Sequence, residues 1–248
     1  MIQKLMSQMR RCCEDYDMIH DGDRIAVGLS GGKDSLVMLA GLAEMRRFYP
    51  KAYTLEAITV SLGIEGVDYG ALQAYCSRLG VRHTLIDTRL NELIFKVRKE
   101  SNPCSLCSKM RKGALNDAAL ELGCSKVALG HNRDDAVETF VMNQVYGGRI
   151  GCFLPVTYLS RKEITVIRPL LYVPEKMARR TASALALPVV QNPCPANGTS
   201  SRAEVKELVR RLNSEYPGYS NRIFGAMQRL PLEGWEKLRG TEEREEQT

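Results

Sequence analysis

The chain has 248 residues, 44% hydrophobic and 26% charged, with a net charge of +6. This is an ordinary balance for a globular protein and gives length enough for a substantial core. No apolar run reaches the roughly 18 residues of a membrane span, and the first residues lack the apolar segment of a signal peptide, so the expectation is a cytoplasmic protein without a membrane partner.

Residues 1–20 read as a helix with Leu5, Met9, Cys12, Cys13 and Tyr16 on one stripe, ended by Asp21-Gly22-Asp23. A strand at Arg24–Leu29 runs into Ser30-Gly31-Gly32-Lys33-Asp34-Ser35, and a helix follows from Asp34 to Phe48, where Pro50 stops it. Strands at Leu55–Val60, His83–Asp87 and Lys126–Leu129 alternate with helices at Asp68–Leu79, Ser108–Leu122 and Asp134–Tyr146. In the helix after Ser108, Arg111 and Lys112 are expected to face outward. Thr157–Leu159 and Thr165–Ile167 suggest a short hairpin. Helices are predicted at Glu175–Leu185, Ala203–Glu215 and Asn221–Gln228.

This alternation predicts an α/β fold, a doubly wound and mostly parallel sheet of Rossmann-like type with helical additions at both ends. The expected division is an N-terminal helix over 1–20, a nucleotide-binding domain over 21–190, a helical extension over 191–240 that carries Cys194, and a disordered acidic tail over 241–248.

Two adjacent glycines after a strand let backbone approach a ligand closely, and the amides of such a loop with the following helix N-terminus make an anion site. Ser30 and Ser35 add hydroxyls, and the carboxylate of Asp34 suits a hard cation such as Mg²⁺ beside phosphates. The bland alternative is a Gly-Gly turn with a serine cap. The spacing is that of neither a Walker A loop nor a dinucleotide fingerprint. The loop resembles the S-G-G-x-D-S pyrophosphate loop of the PP-loop ATP pyrophosphatases. That resemblance implies ATP held by Ser30, Gly31, Gly32, Lys33, Asp34 and Ser35, and adenylation of an acceptor oxygen.

A second loop, Gly130-His131-Asn132-Arg133-Asp134-Asp135, follows the strand at Lys126–Leu129 and falls at the same carboxyl edge of the sheet. Asp134 and Asp135 either cap the next helix or serve Mg²⁺ and the acceptor. His131 is either a core histidine or a member of the nucleotide site, with Gly130. Lys33 and Arg133 are phosphate partners or surface residues. The string from His131 to Thr139 resembles a signature shared by lysidine synthetases and tRNA 2-thiolation enzymes.

Eight cysteines in a chain expected in the cytoplasm argue for metal binding or catalysis rather than disulfides. Cys76, Cys124 and Cys152 sit among apolar or small residues and read as packing. Cys104-Ser105-Leu106-Cys107 precedes a helix with Lys109, Arg111 and Lys112 near its start, a setting that favours thiolates. Alone it fits a redox pair, half a zinc site, or chance. Cys194, between Pro193 and Pro195, is the one later cysteine in a loop.

Taken with Tyr146-Gly147-Gly148, Ile167-Arg168-Pro169-Leu170 and Ala226-Met227-Gln228, these strings resemble the tRNA 2-thiocytidine synthetase family from about Asp21 to Gln228. The resemblance implies a [4Fe–4S] cluster on Cys104, Cys107 and Cys194, with Asp34, Asp134 and Asp135 in catalysis. It implies ATP-dependent replacement of the C2 oxygen of an anticodon-loop cytidine by sulfur. The implied partners are tRNA and a sulfur donor, a cysteine desulfurase persulfide or sulfide, with a homodimer also expected. Two departures stand out. Asn197 occupies the place where relatives often carry a second late cysteine, and Ala136-Val137-Glu138-Thr139 leans towards lysidine synthetase. A cluster-free lysidine-type ligase and a non-enzymatic RNA- or metal-binding protein are the alternatives.

Overall fold

The computed structural model describes residues 2–64, 66–94, 103–190, 201–229 and 235, with the backbone alone at Cys104. Its helices are α1 (Ile2–Asp15), α2 (Lys33–Met45), α3 (Gly70–Arg78), α4 (Pro103–Glu121), α5 (Arg133–Gly147), α6 (Glu175–Ala184), α7 (Ser201–Glu215) and α8 (Tyr219–Arg229). Its strands are β1 (Asp23–Gly28), β2 (Tyr53–Val60), β3 (Arg82–Ile86), β4 (Lys126–Ala128), β5 (Val156–Leu159) and β6 (Ile164–Ile167). They form one sheet in the order β3-β2-β1-β4-β6-β5. Every pairing is parallel except β5 with β6, the predicted hairpin.

The chain builds outward from β1 to β2 and β3, then returns to place β4 on the other flank of β1. The order reverses between β1 and β4, and a crevice opens at such a point beyond the carboxyl ends of the strands. The loops at 29–32 and 129–132 emerge there.

Both faces of the sheet are covered, which is why the strands read as near-continuous apolar runs. On one face Ile25, Val27, Leu55 and Ala57 pack against α1, α2, α3, α5 and α6. On the other, Ala26, Ile58 and Val127 meet Leu115, Ala118 and Ala119 of α4. Gly28 has no room for a side chain, since a Cβ there would stand 2.9 Å from a Leu115 methyl.

Two boundaries differ from the sequence reading by five residues, and the others by three or fewer. Helix α1 ends at Asp15 rather than near 20, because Asp17 takes a left-handed conformation (φ 45°) and the amide of Met18 closes back on the Cys13 carbonyl. Asp17 is held there by Lys51 at 2.6 Å and His20 at 3.0 Å. Helix α4 starts at Pro103 rather than Ser108, so Cys104 and Cys107 belong to its first turns and not to a preceding loop. Proline has the φ of a first helical residue and no amide to leave unpaired, so it starts the helix here.

At the amino ends of the strands, away from the crevice, Lys126 and Asp23 form a buried ion pair at 2.7 Å. Lys126 also donates to the Met18 carbonyl, and the His20 amide donates to Asp23, so the pair is hydrogen-bonded as well as charged. The helices predicted in 191–240 are present as α7 and α8, while Cys194 and the tail over 241–248 lie outside the described residues.

Candidate active site

The phosphate loop is tightly folded on itself. Gly31 takes φ +78°, a conformation that side chains disfavour, and a Cβ there would meet Val190 at 3.0 Å. The Ser30 and Ser35 hydroxyls lie 3.1 Å apart, Gly32 N–H donates to Ser30 Oγ, and Ser35 Oγ donates to the Gly32 carbonyl at 2.9 Å. These contacts hold the loop in the form of an anion cradle and are of the kind that phosphate oxygens replace.

The second loop abuts the first. A Cβ on Gly130 would lie 3.1 Å from the Ser35 amide nitrogen and 3.2 Å from the Asp34 carbonyl carbon, so only glycine lets the two backbones close. Asn132, buried, joins them: its Nδ2 donates to Asp34 Oδ1 at 3.3 Å, and its Oδ1 accepts from the Asp135 amide at 3.1 Å. Asp135 Oδ2 accepts from the Asn132 amide at 2.8 Å, completing a capping box at the start of α5. Asn132 was not singled out in the sequence, although Asn followed three residues later by a carboxylate is a capping pattern.

Between these loops and α4 lies a cavity of about 490 Å³, within the usual range of small-molecule sites. Its floor is Ser30, Gly32, Asp34, Ser35, Gly130 and His131. Ile58, Val60 and Leu62, on and beyond β2, make an apolar side. Facing the loops are Cys107, Ser108, Arg111 and Lys112 of α4. The two cations expected on the outer side of α4 thus border the cavity. Starting the helix at Pro103 brings Cys104 and Cys107 onto it at a spacing of three, which puts both positions on one helix face.

The remaining expected residues take other places. Lys33 Nζ pairs with Asp34 at 2.7 Å and with Glu175 at 3.1 Å. Asp134 lies outside the cavity lining, and its Oδ2 accepts the Glu175 amide at 2.6 Å, capping α6. Asp135 Oδ1 pairs with Arg202 at 2.7 Å, and burial raises the pKa of its carboxyl. Arg133 is half-buried with Nε unpartnered, and burial lowers its pKa. His131 stacks on Phe153, centroids 4.8 Å apart. Burial, then Arg168, Arg202 and Lys112, lower its pKa to about 3, so it is neutral at physiological pH.

Sequence reasoning missed an ion network behind the loops. Glu138, buried, is approached by Arg202 at 3.8 Å and Lys206 at 4.0 Å. Lys206 also pairs with Glu175 at 3.0 Å. Burial and the neighbouring Asp135 and Glu175 outweigh the cations and raise the Glu138 carboxyl to about 7. For Glu175, burial acts upward, but Lys206 and Lys33 prevail and hold its carboxyl at about 2. No local pattern announces these pairs, whose members are 31 to 68 residues apart.

The segment 191–200, with Cys194, lies outside the described residues, but its flanks are tied to the site. The Val190 amide donates to the Gly31 carbonyl at 3.0 Å, and Arg202 reaches Asp135. Among the described residues no three His, Cys, Asp or Glu side chains gather into a metal site. Cys107, half-buried on the cavity wall beside two cations, is chemically suited to act as a thiolate ligand. No helix among the described residues is long and apolar enough to cross a membrane.

Comparison with known proteins agrees with this geometry. A family model described as a PP-loop domain matches residues 1–212. A tRNA-cytidine(32) 2-sulfurtransferase of Geobacter sulfurreducens is 37% identical over 228 residues, 91% of this chain and 89% of the relative. One from Alkalilimnicola ehrlichii is 37% identical over 92% of this chain and 74% of its own. Among solved structures, the U34-tRNA thiolase NcsA from Methanococcus maripaludis with its [4Fe-4S] cluster superimposes with a TM-score of 0.76. It shares 29% identity, over 92% of this chain and 78% of that one. With its phosphate loop at the sheet's switch point, the chain belongs to the PP-loop proteins and, within them, to the tRNA-cytidine(32) 2-sulfurtransferase family.

Proposed function

We propose that the protein is an ATP-dependent tRNA sulfurtransferase that replaces the C2 oxygen of an anticodon-loop cytidine, at position 32 as in its relatives, with sulfur. One observation carries the reading: Ser30, Gly32 and Ser35 of the phosphate loop and Cys107 of α4 line the same cavity. A nucleotide held by the loop and a cysteine-bound sulfur site then share one chamber. Family membership favours this over a lysidine-type ligase, which has no use for Cys107 there.

The ATP phosphates replace the hydroxyl contacts within the loop. Asp34, oriented by Asn132, holds Mg²⁺ against them. Lys33 exchanges a carboxylate for a phosphate oxygen, with Glu175 keeping its ammonium in place. The cytidine O2 attacks the α-phosphorus, and the bond to pyrophosphate breaks. Sulfide from the donor adds at C2, and AMP leaves with the former O2. Positioning and charge complementarity supply the acceleration. Asp135 fixes the second loop through its capping box, and Asp134 acts at one remove by holding the start of α6, where Glu175 meets Lys33. Cys104, Cys107 and Cys194 are the residues that would hold a [4Fe–4S] cluster. Such a cluster supplies an iron at which the incoming sulfur is activated. The sulfur donor is sulfide, or a persulfide whose outer sulfur a second thiol releases as sulfide while a disulfide forms, and a homodimer remains part of the proposal.

The test is an iron and acid-labile sulfide count on anaerobically purified protein, together with mass spectrometry of nucleosides from tRNA incubated with ATP and sulfide. About four irons per chain and 2-thiocytidine are expected. Cys194→Ala should lose both. Iron-free protein that attaches lysine to tRNA overturns the reading.

A further inference from the structure

Both oxygens of the Asp34 carboxylate are held, each at the end of its own chain of contacts. Oδ1 accepts from Asn132 Nδ2 at 3.3 Å. The Asn132 amide donates to Asp135 Oδ2 at 2.8 Å, and Asp135 Oδ1 accepts from Arg202 at 2.7 Å. Oδ2 of Asp34 accepts from Lys33 Nζ at 2.7 Å. Lys33 also meets Glu175 Oε1 at 3.1 Å, and Glu175 Oε2 accepts from Lys206 at 3.0 Å. Arg179, on the same helix as Glu175, shares Oε1 at 3.2 Å and leaves Oε2 to Lys206.

The two chains begin one turn apart on α7, a helix that lends no residue to the cavity lining. Arg202 and Lys206 share a face of that helix. Buried Glu138 stands between their heads, 3.8 Å from Arg202 and 4.0 Å from Lys206. Val205 and Val209, buried beside them, already anchor α7 in the main core. The two cations are half-exposed, and exposed pairs add little to such an anchor. What they supply is direction. Asp135 and Glu175 each turn one oxygen to α7 and the other towards the loops, which fixes the rotation of both carboxylates.

We propose that Arg202 and Lys206 are positioning residues for ATP: Arg202 sets the Asp34 carboxylate through Asp135 and Asn132, and Lys206 sets the Lys33 ammonium through Glu175. This rests on the function proposed above, in which Asp34 holds Mg²⁺ and Lys33 a phosphate oxygen, and it names the element that orients both. A side chain already turned in its working direction spares the cost of ordering it when the ligand arrives. The two residues then have separate signatures. Arg202 acts through the group that meets the cation, so it matters only when the cation is present. Lys206 acts through the group that meets the phosphates, so it matters with or without the cation.

The experiment measures ATP binding to the full, anaerobically purified chain by isothermal titration calorimetry, once with Mg²⁺ and once with EDTA. It compares wild type, Arg202→Gln, Lys206→Gln and Lys206→Arg, with a thermal melt of each. Arg202→Gln should weaken binding about threefold in Mg²⁺ and leave it unchanged in EDTA. Lys206→Gln should weaken it about threefold in both, and Lys206→Arg should restore it. Melting temperatures should stay within about 3 °C of wild type. Wild-type affinity in either Gln variant with Mg²⁺ overturns the proposal, as does an Arg202→Gln loss that persists in EDTA. Losses that Lys206→Arg does not recover, or that come with a larger drop in melting temperature, make the pairs supports of the fold and overturn it too. All of these leave the sulfurtransferase reading standing, since that falls on iron content and nucleoside analysis. Wild-type protein that binds no ATP ends both.

Discussion

At the scale of single residues, the site is built from side chains that hold other side chains. Asn132 reaches Asp34, and Asp134 holds the backbone of Glu175, which in turn holds Lys33. Replacing Asp134 separates its two capacities. Asp134→Asn keeps an oxygen for the Glu175 amide, so melting temperature and the KM for ATP should stay near wild type. Asp134→Ala loses the cap, costing about 1 kcal/mol and some 2–4 °C of melting temperature, with KM for ATP rising as Lys33 loses its brace. Thermal melts and steady-state kinetics on both variants check this. An Asn variant with unchanged melting temperature and a turnover down tenfold would put the carboxylate's charge into the chemistry. The glycines and serines of the phosphate loop were legible because their function is local: a tight turn and a row of amides declare themselves within six residues. Asp134 was ambiguous for the opposite reason, since whether an acid caps its own helix, caps another or meets a ligand depends on what stands opposite.

At the scale of elements, α7 is clamped to α5 and α6 by charge. Arg202 and Lys206 meet Asp135, Glu138 and Glu175 across the joint, directly behind the phosphate loop. Glu138 gives this joint a pH dependence. Its carboxyl is raised from 4.5 to about 7 in the folded chain, so between those values the native state holds a proton that the unfolded chain has lost. Its contribution to stability is therefore present below pH 4.5 and disappears as pH rises through 7. In Glu138→Gln that decline should be absent. The difference in melting temperature between variant and wild type should grow in the variant's favour from pH 4.5 to 7.5, by a few degrees in differential scanning calorimetry. A constant difference would mean that Glu138 is ionised throughout. The periodicity of α7 was visible in the sequence, as was that of α1, α5 and the hairpin. Its docking was not, because complementary charges 31 to 68 residues apart leave no pattern in either segment. The early start of α4 is instructive too: Cys104 and Cys107 were read as preceding the helix, whereas Pro103 opens a helix that contains both positions and carries Cys107 to the cavity.

At the scale of the whole molecule, strand order does most of the functional work. Alternating strands and helices made the parallel sheet predictable, and the rule of carboxyl-end loops placed the crevice. The order of the strands, and the two cations that α4 brings to the cavity opposite the loops, came only with the structure. Tyr16, just after α1, also meets Trp235, beyond α8. Trp235, 1% exposed, lies edge-on to Tyr16 at 6.4 Å and to Phe224 at 5.9 Å. Tyr172, which donates to Asp15, and Gln228 extend the same seam between α1 and α8. Trp235 is the sole tryptophan and belongs to the main core, so urea unfolding followed by its emission should coincide with loss of helical circular dichroism. A fluorescence transition at lower urea would show that the seam opens by itself. This closure also has a bearing on biosynthesis. The first helix leaves the ribosome with an apolar stripe whose last aromatic neighbours are not translated until residues 224 and 235. While the intervening residues are made, at about 5–20 residues per second, the nascent chain carries that stripe incompletely covered. A chain cut before residue 224 would therefore hold its phosphate loop in full and a greasy seam exposed, a substrate for chaperones and proteases rather than an enzyme.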